Sequence, residues 1–161
     1  MTVLSIDRDL DNRTLTVTCQ FAASPDRVWQ LWADPRQLER WWGPPTYPAT
    51  FTEHDLRPGG AAAYYMTSPE GERYHGYWRF ADVAATTRLA FTDGFADDEG
   101  RPDPDLPVST TEVTLADHDG GTRMVITSGW ETVELMQQTL DMGVEEGLRE
   151  ALGQIDAVLA G

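Results

Sequence analysis

Residues 132–159, TVELMQQTLDMGVEEGLREALGQIDAVL, decide which fold this chain adopts. Apolar side chains recur about every 3.6 residues along this stretch, which predicts one amphipathic helix from about Thr132 to Leu159. Its apolar stripe consists of Val133, Met136, Leu140, Val144, Leu148, Leu152, Ile155 and Leu159. A helix with such a stripe has to bury it against another layer of secondary structure, so the preceding chain must supply that layer.

Two glycines, Gly143 and Gly147, lie one turn apart inside this predicted helix. Each costs about 1 kcal/mol of helix stability relative to alanine. We therefore expect them to allow a close approach of the helix to the sheet or to a bound molecule.

Residues 47–130 carry the signals of strands separated by turns. Turn-forming residues, chiefly glycine, proline and aspartate, cluster near positions 57–60, 68–71, 85–87 and 117–121. Between them, alternating apolar and polar positions predict strands at about 47–56, 60–67, 73–83, 87–95, 107–116 and 122–130. Parallel strands would need crossover helices, so these strands are expected to form an antiparallel meander. The acidic, proline-containing segment 97–107 is expected to be an exposed loop.

The N-terminal part adds a further strand and two short helices. Residues 14–21 alternate between apolar and polar side chains, and the turn chemistry just before them makes residues 3–9 a candidate hairpin partner. Ser24 followed by Pro25 starts a helix, and Asp34 followed by Pro35 interrupts it and starts another. The order of elements predicts an α+β domain spanning residues 1–161. In this helix-grip fold a curved antiparallel sheet wraps around the long C-terminal helix, with two short helices after the first strand.

The composition excludes several classes of partner. The formal charge of −15, from 27 acidic and 12 basic residues, argues against nucleic acid and against anionic membrane surfaces. No stretch approaches the roughly 20 apolar residues of a membrane span, and the N-terminus lacks the features of a signal peptide. The single cysteine, Cys19, cannot form an internal disulfide. These features together predict a cytoplasmic protein.

Several motifs resemble one known family. Residues 25–35, PDRVWQLWADP, continued by 38–44, LERWWGP, resemble the opening of proteins similar to the activator of heat-shock protein 90 ATPase (homologue-1-like domain). Residues 55–60, DLRPGG, and 121–124, GTRM, match later elements, so the resemblance covers essentially the whole chain. It implies the START-like, birch-pollen-allergen-like (SRPBCC) superfamily, whose helix-grip fold agrees with the order of elements above. It also implies a link to the stress response.

The resemblance does not choose a function, because this fold carries ligand binders, aromatic cyclases and chaperone cofactors. The chaperone-activating members pair this domain with a separate N-terminal domain. We do not find that domain in this sequence, which weakens the chaperone interpretation.

No catalytic or cofactor-binding motif is present in the sequence. His54, His75 and His118 fall on or near different strands and have no adjacent third ligand, so we expect no metal and no cofactor. Glu131 could act as an acid or base if it were desolvated. It could equally be a carboxylate favoured by the dipole at a helix N-terminus.

The aromatic and methionine residues are the most promising candidates for a binding site. A sheet curved around a helix leaves room for a cavity, and flexible methionine beside tryptophan and tyrosine suits an adaptable apolar pocket. Our predicted ligand-binding residues are Trp42, His54, Tyr64, Met66, Trp78, Phe91, Met124, Trp130, Met136 and Leu140.

Three functions remain open from the sequence. The first is a non-catalytic protein that binds a small hydrophobic or aromatic molecule between the C-terminal helix and the sheet, gated near Trp42. The second is an enzyme of the cyclase or hydrolase type in the same cavity, with Glu131, His54 or a tyrosine as proton carrier. The third is a chaperone-interacting module that uses an exposed face of the sheet. A homodimer is left open.

Overall fold

The computed structural model describes residues 2–161, which form eight strands and five helices. The strands are β1 (Thr2–Asp9), β2 (Thr14–Phe21), β3 (Ala49–His54), β4 (Ala61–Thr67), β5 (Arg73–Ala84), β6 (Arg88–Ala96), β7 (Ser109–His118) and β8 (Gly121–Gly129). The helices are α1 (Pro25–Ala33), α2 (Pro35–Leu38), α3 (Val133–Asp141), α4 (Val144–Leu152) and α5 (Ile155–Ala160). Every strand end lies within two residues of its predicted position.

All eight strands belong to one antiparallel sheet with the order β1-β2-β8-β7-β6-β5-β4-β3. The meander from β3 to β8 is therefore confirmed, and β8 closes onto β2, so that Cys19 pairs with Met124. The α+β class and the helix-grip arrangement are confirmed as well. The two short helices follow the second strand rather than the first, because residues 2–9 form the hairpin partner of β2.

The short helices begin where their capping residues predict. The Ser24 side chain accepts a hydrogen bond from the Arg27 N–H, and Pro25 occupies the first turn, where its missing N–H is not needed. Asp34 ends α1, and its side chain accepts from the Arg36 N–H to begin α2. The buried residues of α1 are Val28, Trp29, Leu31 and Trp32.

The hydrophobic core is rich in aromatic rings. Trp78 stacks on Phe91 with their ring centroids 4.2 Å apart, and Trp32 meets Trp41 edge to face at 4.9 Å. Such pairs add about 0.5–1.5 kcal/mol beyond the burial of their area. Cys19 is fully buried on the same face of the sheet, and burial raises the pKa of its thiol to about 12. The cysteine is therefore a small core residue, as its position in the alternation predicted.

The C-terminal segment differs from the single continuous helix that we predicted. Gly143 has a φ of +87°, in the left-handed region, and this conformation separates α3 from α4. At Gly153 the backbone stays right-handed, but the last turn of α4 tightens, since the Gln154 N–H donates to the Ala151 carbonyl oxygen. Leu152, Ile155 and Val158 still reach the main core. Met136 and Leu140 form a second cluster with Leu15 and Trp130.

The turn before β4 follows the expectation from its two adjacent glycines. Gly59 has a φ of +82°, a conformation that glycine adopts without steric cost. At Gly60 a Cβ atom would stand 2.1 Å from the Asp55 carbonyl oxygen. Both positions of this turn therefore require glycine, one for its φ and the other for space.

Candidate ligand-binding cavity

A cavity of about 280 Å³ lies between the sheet and the α3–α4 segment. Strands β4, β6, β7 and β8 form its floor, and the residues around the α3–α4 junction form its roof. Trp42 and Pro44, from the turn after α2, and Pro107, from the loop before β7, line it as well. The loop at residues 97–107, which we expected to be exposed, therefore contributes a buried proline to the cavity.

Four of the ten predicted residues lie together on the cavity wall. They are Trp42, Tyr64, Met66 and Trp130, and their exposed surface inside the cavity is largely apolar. The ring of Trp42 meets that of Tyr64 edge to face at 6.3 Å, so the two form one continuous aromatic surface. This part of the wall is suited to a flat or compact apolar molecule.

The structure places the other six predicted residues outside the cavity lining. Trp78, Phe91, Met124, Met136 and Leu140 are buried among other core side chains. His54 is half-buried between Phe51 and Phe80, and its Nε2 lies 3.0 Å from the Trp32 carbonyl oxygen. Burial lowers the pKa of His54, partly opposed by this hydrogen bond.

Asp93 is the principal residue that the sequence analysis missed. It faces inward from β6 with the same parity as Leu89 and Phe91, and it pairs with Trp78 on β5 and Ser109 on β7. Its side chain lines the cavity and is half-buried. The alternation along β6 already places position 93 on the inner face. A carboxylate there is uncommon, so the sequence alone could have marked Asp93 as a candidate site residue.

Burial raises the pKa of the Asp93 carboxyl to about 7, from an ordinary value of 3.8. The Tyr64 hydroxyl, 3.5 Å from Asp93 Oδ1 at the long limit of a hydrogen bond, opposes this shift, as does the indole N–H of Trp78. No arginine or histidine within residues 2–161 forms an ion pair with Asp93. The cavity therefore contains a carboxyl group without a cationic partner.

Three indole nitrogens are left unpaired near the same space. Those of Trp42 and Trp130 are buried and have no hydrogen-bond partner among the described residues, and that of Trp78, although it lowers the pKa of Asp93, makes no hydrogen bond of ordinary geometry. By contrast, the hydroxyls of Thr111 and Ser128 lie 3.2 Å apart and satisfy each other. Buried donors without partners are costly, so a bound molecule with acceptor atoms would be favoured at these positions.

The cavity opens at the junction between α3 and α4. Met142 and Val144 line it, yet their side chains are 49% and 36% exposed, so they mark its mouth. Gly147 lies one turn further along, and a Cβ atom there would meet only Pro44 Cγ, at 3.8 Å. The missing side chain therefore leaves space for a bound molecule, while the helix does not approach the sheet closely at this point.

The other candidate chemical groups lie elsewhere. Glu131 is exposed and borders a second depression together with Arg13, outside the cavity. Within residues 2–161 no group of three histidine, cysteine, aspartate or glutamate side chains is placed to hold a metal ion. In the same part of the chain, no helix has the length and apolar content needed to cross a membrane.

The architecture and the cavity define a class of protein. An eight-stranded antiparallel sheet that holds a C-terminal helical segment over an internal cavity is typical of START-like, helix-grip proteins. The chain belongs to the family described as Activator of Hsp90 ATPase homolog 1-like protein, whose profile matches residues 22–160.

Solved structures of similar proteins agree with this assignment. Protein Ms6760 from Mycobacterium smegmatis is 52% identical, with a TM-score of 0.91, over 98% of this chain and 97% of that one. A protein from Arthrobacter aurescens is 50% identical, with a TM-score of 0.95, over 99% of this chain and 92% of that one. An AHSA1 protein from Silicibacter pomeroyi is 25% identical, with a TM-score of 0.72, over 91% of this chain and 97% of that one. No match was found among curated proteins.

Proposed function

We propose that the protein binds a small, largely apolar molecule in the cavity between the sheet and the α3–α4 segment. The observation that carries this proposal is a space of about 280 Å³ with a mainly apolar wall, which the protein's own side chains leave unfilled. A ligand of about one to three aromatic rings suits such a volume. The open space at Gly147 and the exposed mouth at Met142 and Val144 support the same conclusion.

A fluorescence titration with the neutral apolar dye N-phenyl-1-naphthylamine tests the proposal. The wild-type protein should enhance the dye's emission saturably at about one dye per chain. Gly147→Leu places a side chain into the cavity beside Pro44, and it should weaken dye binding at least tenfold. It should not lower the melting temperature, because leucine has a higher helix propensity than glycine.

Gly147→Ala is the matched control. Its methyl group fits beside Pro44 and raises helix propensity equally, so dye binding should stay within a few-fold of wild type. The proposal is wrong if the wild type does not bind the dye, or if Gly147→Leu binds it as well as wild type does. The latter result would mean that the dye binds outside this cavity.

An acid–base enzyme in the same cavity is the second candidate. The specific observation in its favour is the Asp93 carboxyl, whose pKa of about 7 suits proton transfer near neutral pH, beside the Tyr64 hydroxyl. Native mass spectrometry of protein purified from its own source would identify a co-purifying molecule. Incubating that molecule with the protein, and with Asp93→Asn as the control, would show whether it is merely bound or also converted.

A further inference from the structure

The polar groups of the cavity define the charge of the molecule that it accepts. Asp93 and Tyr64 are the only titratable side chains among the described residues that line it, and no arginine does. The sequence contains no lysine, so all 12 basic residues are arginines. Since none of the described residues places a positive charge opposite Asp93 inside the cavity, such a charge would come from the ligand.

The ring faces of the wall are favourable for a cation, while the unpaired indole N–H groups of Trp42 and Trp130 favour acceptor atoms elsewhere on the same molecule. Trp42, Tyr64 and Trp130 line the same space, and aromatic ring faces attract ammonium groups, most strongly where water is excluded. The formal charge of −15 adds a long-range potential that raises the local concentration of cations and lowers that of anions. Local and long-range electrostatics thus favour the same sign of charge.

We propose that the ligand of this cavity is an apolar amine, whose protonated nitrogen pairs with the Asp93 carboxylate while its hydrocarbon body lies against the aromatic wall. This inference rests on the proposed function, because it names the chemical class of the molecule that the cavity binds. A half-buried carboxylate without a cationic partner is costly, and an ammonium group supplies both the opposite charge and a hydrogen-bond donor. The Asp93 carboxylate and the ammonium group of the ligand then form an ion pair.

Isothermal titration calorimetry with three compounds that share one skeleton tests this inference. They are 1-naphthylmethylamine, 1-naphthylmethanol and 1-naphthoate, which are cationic, neutral and anionic near neutral pH. At pH 8 the amine should bind about tenfold or more tightly than the alcohol, as expected for one hydrogen bond to a charged group. The naphthoate should bind most weakly.

The variant Asp93→Asn should remove the preference for the amine over the alcohol. Asp117→Asn, an exposed position on β7, removes the same charge outside the cavity and should preserve the preference. In the wild type, the amine's affinity should rise about tenfold between pH 6 and pH 8, because the fraction of ionised Asp93 rises over that range. The affinity of the alcohol should change little.

Equal binding of the amine and the alcohol would overturn the inference and leave the proposed function intact. A preference for the amine that survives in Asp93→Asn would overturn it too, since the charge recognised would lie elsewhere. An affinity for the alcohol that falls as the pH rises would also overturn the inference. It would mean that protonated Asp93 donates a hydrogen bond to a neutral ligand. If none of the three compounds binds and the apolar dye does not bind either, the proposed function fails together with this inference.

Discussion

The aromatic ring of Tyr64 lies directly over Gly76, its partner on the neighbouring strand β5. A Cβ atom at Gly76 would stand 2.4 Å from Tyr64 Cζ, which is closer than any real contact. The ring has little room to move, because it also stacks on Phe51 with the centroids 5.0 Å apart. Gly76 therefore fixes the position of the Tyr64 hydroxyl near Asp93.

Gly76→Ala should displace Tyr64 and disturb the cavity. Overpacking of this kind costs about 1–3 kcal/mol, measurable by urea denaturation, and dye binding should weaken in parallel. Gly129→Ala is the control, because a Cβ atom on this β8 glycine would meet Thr110 Oγ1 at an ordinary 3.5 Å. Equal effects of the two variants on dye binding would show that Gly76 has no special role.

Asp93 should make the stability depend on pH. Its pKa is about 7 in the folded protein and ordinarily 3.8, so the folded state holds its proton more tightly than the unfolded state. The free energy of unfolding should therefore fall as the pH rises from about 4 to 7, and this contribution should level off above. Asp93→Asn removes the cost of the buried charge. The variant should be more stable by roughly 2 kcal/mol at pH 8, after allowance for the side chain's access to solvent, and about equal to wild type at pH 4.

Urea denaturation of both proteins from pH 4 to pH 8 measures this difference. Subtracting the two curves removes the contributions of the other acidic residues, which the proteins share. A constant difference across this range would mean that Asp93 has an ordinary pKa.

Met136 should behave as a core residue. It is fully buried beside Leu15, Trp130 and Leu140, and it does not line the cavity. Met136→Trp should therefore overpack this cluster and cost about 1–3 kcal/mol, whereas the volume-conserving Met136→Leu should cost less than about 1.5 kcal/mol. Thermal denaturation compares the variants directly. An unchanged melting temperature for Met136→Trp would reveal empty space next to this residue.

The two helix junctions should respond differently to the same substitution. Gly143 has a φ of +87°, so Gly143→Ala should cost about 1–2 kcal/mol. Gly153 is right-handed, and a Cβ atom there would meet carbonyl oxygens no closer than 3.4 Å. Gly153→Ala should therefore be neutral or stabilise by up to about 1 kcal/mol. Equal changes in the free energy of unfolding would contradict a left-handed Gly143.

The strands could be predicted closely because their signals are local. Alternation of apolar side chains and the turn residues between them are readable within a few positions, as in β2 and β5. The break between α3 and α4 was not predicted, since the apolar stripe continues through it. A glycine inside a helical pattern can be tolerated or can end the helix. Its φ depends on tertiary packing, which cannot be read from the local sequence.

The cavity could be predicted only in part for a similar reason. Strand parity places Tyr64 and Met66 on the inner face, and the same parity places Asp93 there, although a charged residue at an inward position is uncommon. Pro44 and Pro107 reach the cavity from loops, whose path follows from tertiary contacts. Met136 and Leu140 face the sheet as predicted, but neighbouring side chains fill the space beside them.

The pairing of β2 with β8 has a consequence for biosynthesis. The two partners are separated by about one hundred residues, as the pair Cys19 and Met124 illustrates. At a translation rate of about 5–20 residues per second, β8 is made about 5–20 s after β2. Until then β2 is paired only with β1, and an isolated two-stranded hairpin is at best marginally stable in water. The edge of β2 that pairs with β8 therefore stays without its partner strand on the nascent chain until residues 121–129 have left the ribosome.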